Sequence, residues 1–307
     1  MLKVITTIFI SILLSNAIFA APPFIITPHQ NITNAQIESY LQTWADEAKY
    51  NPFELSMLLI AAGTQRNKTL YHEAFNNFLN SLQLTMDLKN TKQAIAQLQQ
   101  VADELDQPLS YYTWLLSRAM IAAQRFNDQV QADLLAQLTR QLLITHAVND
   151  SYNGRAWSYL LRYYSQQQPE LYQRYRHHVY RFINQLEIQH VNPIDILWAR
   201  VLELQAAAQA KDTALYHDIT TMLAGNTHTQ WSDRFKHLPR REYPAWALSL
   251  ARLAAITMQD VSAYQNLQQP LKQAMASSRN SSDVVLAWVN EQLALIIAAQ
   301  HPNTKTT

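Results

Sequence analysis

A unit led by tryptophan recurs along this chain and restricts what it can fold into. It is clearest in the copies beginning at Trp198 and Trp246. In both, an Asp follows the Trp by 14 positions (Asp212, Asp260), a Tyr by 18 (Tyr216, Tyr264) and an aliphatic residue by 21 (Ile219, Leu267). Trp198, Val201, Leu204 and Ala208 keep the spacing of one helix face, and Asp212 falls where a second helix needs an acceptor for its first free N–H groups. The unit is therefore a helical hairpin. Trp114 repeats two of the three features (Asp128, Leu135) and Trp157 repeats one (Tyr175). Intervals of 43, 41, 48 and 42 residues separate Trp114, Trp157, Trp198, Trp246 and Trp288, a period in the range of stacked helical arrays.

The scarcity of glycine points the same way. Only three of 307 residues are Gly, which leaves little for tight strand hairpins, phosphate-cradling loops or a dinucleotide fingerprint. The fold class is all-α, with about thirteen helices arranged as six stacked hairpins plus a C-terminal helix. The hairpins open near Thr33, Leu70, Pro108, Asn153, Pro193 and Pro244, and the last helix runs from about Asp283 to Gln300. Pro108, Pro169, Pro193 and Pro244 each precede an amphipathic run, where a missing N–H costs nothing.

A hairpin opened by Trp resembles the tetratricopeptide-type α-solenoids in architecture. That motif's Gly four residues after the Trp is replaced here by Arg118, Leu161, Leu202 and Leu250, and its small residue at the sixteenth place is met by Ala214 and loosely by Ser262. The resemblance implies stacked hairpins with a concave binding side and carries over no functional residue. A closed (α/α)6 toroid, the architecture of polysaccharide lyases and glycoside hydrolases, is the alternative arrangement of six hairpins.

Residues 1–20 read as a signal peptide: Lys3, an apolar run from Val4 to Leu14, then Ser15, Ala17, Ala20 and Ala21, with cleavage after Ala17 or Ala20. An uncleaved anchor is the alternative. Cleavage implies a periplasmic or secreted protein, and one without cysteine cannot carry a lipid on an N-terminal Cys. An irregular lead (21–32), one helical-repeat domain (33–300) and a polar tail (301–307) follow. The 24 basic and 23 acidic side chains nearly cancel, so no global field draws nucleic acid, and no stable membrane insertion is expected once the signal is removed.

No cofactor or metal is expected. His72 and Glu73 lack the second His of a zinc-protease helix, since Asn76 stands there. His177 and His178 are adjacent and point about 100° apart on a helix. The one local concentration of chemistry is Ser151–Leu186, where Arg155, Arg162, Arg174, Arg176 and Arg181 face a single acid, Glu170, among nine aromatics. Arg174, His178 and Arg181 share a helix face apart from the stripe of Leu171, Tyr175, Val179 and Phe182. The segment from Gly225 to Glu242 adds Trp231, Arg234, Lys236, Arg240 and Arg241. Arginine forks beside aromatic rings suit carboxylate, sulfate or phosphate groups. The expected function is an exported binding or scaffold protein that recognises a protein partner or an acidic polymer; the alternative is a toroid lyase or hydrolase. The tryptophans at repeat starts read as core rather than as ligand platforms. The last helix is apolar on more than one face, so it should be covered by the N-terminal helices or by a second copy in a homodimer.

Overall fold

The computed structural model describes residues 24–27, 30–32, 34–85, 88–189, 191–224, 243–278 and 281–300. The signal segment, the tail and the 225–242 segment with Trp231, Arg234, Lys236, Arg240 and Arg241 lie outside them.

Described residues are helical almost throughout. A short ribbon, β1 (Phe24–Thr27) paired antiparallel with β2 (Gln30–Ile32), stands in the lead that reads as irregular. The helices are α1 (Asn34–Ala48), α2 (Pro52–Gln65), α3 (Lys68–Ser81), α4 (Thr91–Glu104), α5 (Leu109–Phe126), α6 (Gln129–Thr145) and α7 (Ser151–Gln167). They continue as α8 (Pro169–Ile188), α9 (Pro193–Ala210), α10 (Thr213–Ala224), α11 (Pro244–Thr257), α12 (Val261–Asn266), α13 (Gln268–Ser277) and α14 (Ser281–Ala299). A single helix after Asp260 is replaced by two, α12 and α13. Pro270, which has no N–H to give, lies in the first turn of the second.

The repeat signature acts as read. Asp128, Asp212 and Asp260 each accept a backbone N–H three residues on, from Gln131, Leu215 and Ala263. The Tyr of the unit has a role that spacing alone does not reveal. Tyr216 donates to Asp260 at 3.2 Å, and Tyr172, on the preceding outer helix, donates to Asp212 at 2.9 Å. The Asp212 and Asp260 caps are thus tied to the previous repeat.

Equivalent contacts recur one repeat apart, which sets neighbouring first helices side by side and parallel. Near their starts Arg155 pairs with Asp195, Trp198 packs against Trp246, and the Trp246 backbone N–H is held by Asp283. Further along, Ser165 meets Gln209, Gln205 meets the Leu250 carbonyl, and Asn290 meets Ser249. Following these contacts, α2 packs on α5, α5 on α7, α7 on α9, α9 on α11, α11 on α14, and α14 on α2 again. The array closes on itself, which is the toroidal of the two arrangements. Side-chain bonds span the seam: Arg125 of α5 to Asn290 of α14, and Tyr40 of α1 to Ser282 of α14.

The start of the chain is phased differently from a hairpin series opening at Thr33 and Leu70. α2 is an inner helix with α3 outside it, whereas α1 lies against α2 and the α14 seam. Phe53 of α2 occupies the level at which other inner helices carry Trp, 5.7 Å from the Trp114 ring. The final helix is covered on two sides, by α11 and by α2. The stretch Ser282–Ala299 is long and apolar enough to cross a membrane, but 67 % of it is buried inside the fold, which fits a core helix.

Candidate functional site: an arginine-lined axial pocket

Inner helices have neighbours all round. In α11 every residue from Ala245 to Ile256 is buried, and in α2 every residue from Leu55 to Thr64. A charged side chain on such a helix faces either the layer between inner and outer helices or the axis of the ring. Arg200 and Arg252 take the first course. Arg200 bonds Glu203 and Asn184, and Arg252 bonds Glu291 and the Tyr264 carbonyl. Burial pushes both glutamates up to about 7 against the pull of their arginines.

Arg118 and Arg155 take the second. With Phe53, Trp114, Tyr159, Trp198, Leu202, Tyr243 and Trp246 they line a cavity of about 220 Å³ to which five inner helices or their leading residues contribute. Arg118 is 2 % exposed, with its guanidinium 4.9 Å from the Phe53 ring, 4.6 Å from Trp114 and 5.1 Å from Trp246 on the far side of the ring. Among the described residues its Nη1 donates to Ser56 at 3.1 Å, and its buried Nε has no acceptor. Trp246 Nε1 is a second buried donor without an acceptor among the described residues. Arg155 lies 4.0 Å over Trp114 and 3.3 Å from Asp195. Burial holds it below the usual guanidinium range, opposed by Asp195. The lining residues come from the first three turns of α2, α5, α7, α9 and α11, so the cavity lies toward the N-terminal ends of five inner helices.

Two further arginines stand deeper along the same stripes. Arg155, Tyr159 and Arg162 follow i, i+4, i+7 on α7, and Arg118 and Arg125 are seven apart on α5. Arg125 donates to Thr64 at 2.8 Å and Asn290 at 3.1 Å. Arg162 is 4 % exposed, and no hydrogen bond or ion pair of its guanidinium is found among the described residues. Burial lowers Arg162 to about 10, so it stays cationic at neutral pH, and burial with Arg162 alongside lowers Arg125. Tyr159 sits in the field of Arg125, Arg155 and Arg162.

The residues singled out by composition therefore separate. Arg155 and Arg162 face the axis. Arg174, His178 and Arg181 lie exposed on the outer helix α8. Arg174 and His178 border a separate cleft of about 480 Å³ with Trp157, Tyr175 and Phe182. The His178 ring is 5.1 Å from Trp157, and burial followed by the Arg181 charge lowers its pKa. Among the described residues Arg181 bonds only locally, to the His177 carbonyl. Arg176 is structural, paired with Asp212. The tryptophans at the repeat starts are buried as read, yet Trp114, Trp198 and Trp246 also wall the axial cavity, so core and candidate site coincide. Composition alone does not single out Arg118 and Arg125. Their signal is an arginine four residues after a repeat tryptophan, and pairs seven apart on two successive inner helices.

Among the described residues no group of three His, Cys, Asp or Glu side chains could hold a metal ion. No protein-family model, curated protein or solved structure matches the chain.

Proposed function

We propose that this chain is an exported binding protein that takes the anionic group of an acidic polymer, or of an acidic protein segment, in the axial pocket of its helical ring. The observation that carries the reading is the imbalance of the lining: among the described residues the cationic Arg118 and the Trp246 indole each leave a buried donor without an acceptor, and an anionic oxygen is the complement that would satisfy such donors. Aromatic walls on several sides suit a ring next to that anion. A cavity of about 220 Å³ is smaller than the roughly 300 Å³ at which pockets for drug-sized ligands begin. It therefore suits the end of a polymer or a single side group rather than a long stretch of polymer.

A binder is favoured over a glycoside hydrolase because hydrolysis of that kind uses two carboxyl groups across the bond, and the described lining residues include none. The test is calorimetry of the mature protein against acidic oligosaccharides and acidic peptides, with product analysis on the same mixtures. Binding without turnover, lost in Arg118→Met, is expected. Unchanged affinity in Arg118→Met sinks the reading, and product formation moves it to an enzyme. Export is tested by mass: the mature chain should lack about 20 residues and be recovered in a soluble periplasmic or culture fraction.

A further inference from the structure

An isolated buried charge is costly unless something pairs with it, and the axis of this ring holds four guanidiniums in two tiers. Arg118 and Arg155 form the outer tier at the cavity, and Arg125 and Arg162 form the inner tier two helical turns deeper. Asp195 answers Arg155 alone. Glu203 and Glu291 bond Arg200 and Arg252, and Glu54 accepts the Trp44 indole N–H at 2.8 Å. At the inner tier Arg125 finds the neutral Thr64 and Asn290, and no partner of Arg162 is found among the described residues. Tyr159, a lining residue of the cavity, stands between the tiers in the field of three of the four arginines. A single anion at the outer tier would leave Arg162 uncompensated.

We infer that the axial site takes a ligand with two anionic groups: the first held by Arg118 and Arg155, the second reaching past Tyr159 toward Arg162 and Arg125. The inference rests on the axial pocket being the binding site. A helix rises about 1.5 Å per residue, so four residues (Arg155 to Tyr159) and seven (Arg155 to Arg162) set the two groups roughly 6–10 Å apart. Linear dicarboxylates and pairs of adjacent acidic sugar units both have this chemistry. The aromatic walls accept either the methylene chain of the first or the ring faces of the second.

The experiment is calorimetric titration of the mature chain and of Arg162→Met, Arg125→Gln and Arg118→Met with heptanedioate, with heptanoate as its mono-anionic counterpart, and with a di-uronic disaccharide. The wild type should prefer heptanedioate to heptanoate by about 10- to 100-fold, the range of a charge-assisted hydrogen bond. Arg162→Met should bring that ratio close to one while heptanoate binding persists, and Arg118→Met should weaken both. If the disaccharide shows the same dependence on Arg162 with tighter binding, the ligand is a polymer end; if heptanedioate is the tighter, it is a free diacid. Equal affinity for heptanedioate and heptanoate in the wild type, both still dependent on Arg118, overturns the two-anion inference and leaves the pocket reading standing. Absence of binding by all three probes overturns both. The wild-type ratio and Arg125→Gln decide the matter even if Arg162→Met does not fold. A melting temperature of Arg162→Met at or above wild type is expected, since an apolar side chain of similar length replaces an unpaired buried charge.

Discussion

The inner and outer helices are made from the same residue types under different constraints. On the outer α8 the fully buried residues are Tyr172, Val179, Ile183 and Leu186, one stripe at helical spacing, and the rest of its surface can carry charges in water, as Arg174 and Arg181 do. On the inner α11 twelve consecutive residues are buried, so an arginine there must find a partner or serve a ligand. The same side chain is unremarkable on one ring and diagnostic on the other. That is why Arg174 and Arg181 carry little weight while Arg118 and Arg162 carry the functional argument.

The contrast predicts a descending series of effects on unfolding. Trp246→Ala removes a ring from the inner wall and should cost about 3–5 kcal/mol, read from a denaturant midpoint. A midpoint near wild type would show that the ring has little packing value at the axis. Buried glutamates come next. Glu203 and Glu291 titrate at about 7 in the folded chain against 4.5 as the ordinary value, so the folded form holds their protons more tightly than the unfolded form. Their stabilising contribution is present below about pH 4.5 and is lost as pH rises toward 7. Melting temperature should fall across that window, and the double variant Glu203→Gln, Glu291→Gln should flatten the fall.

The two described helical glycines separate the layers further. A Cβ on Gly63 would lie 2.5 Å from the Ala122 carbonyl oxygen, where two inner helices touch backbone to backbone; one on Gly154 would meet the flexible end of the Leu186 side chain at 2.7 Å. Gly63→Ala should cost about 1–3 kcal/mol and Gly154→Ala clearly less. Equal costs would mean that the inner contact gives way as readily as a side chain. Smaller again, Asp260→Ala should cost about 0.5–2 kcal/mol through its lost N-cap. Reversal of Arg174 and Arg181 to Glu should stay within about 0.5 kcal/mol, and leave binding at the axial pocket intact. Loss of ligand affinity in that outer variant would relocate the site to the α8 cleft.

Local chemistry is legible in the sequence and global phase is not. Asp212 and Asp260 are recognisable caps because capping depends on three neighbouring residues. Their bonds to Tyr172 and Tyr216 depend on how one hairpin leans on the next, which no spacing within a repeat encodes. The sequence pattern puts α2 on the wrong side of its hairpin because Phe53 stands where the others carry Trp, and it does not choose closure over an open array because both use the same unit. At the site, composition marks Arg155 and Arg162 but groups them with the outer Arg174, His178 and Arg181. Neighbours in sequence on α7 and α8 point to opposite sides of one layer. Arg118 and Arg125 escape notice because they are the two cations of one otherwise uncharged helix, α5, a pattern that acquires meaning only when α5 stands beside α7 with a pair of its own.

Closure of α14 on α2 also changes what kind of stability the molecule can have. An open array behaves as a row of units coupled to nearest neighbours, and can fray from either end while its middle stays folded. Joining the ends removes the free terminus at which fraying would begin, so each inner helix, the last included, has a neighbour on both flanks. The seam brings together side chains as far apart in the chain as Tyr40 and Ser282, so it forms only after a large loop has been closed. The ring should therefore assemble slowly and open as one event, and its axial pocket should exist only while the seam is shut.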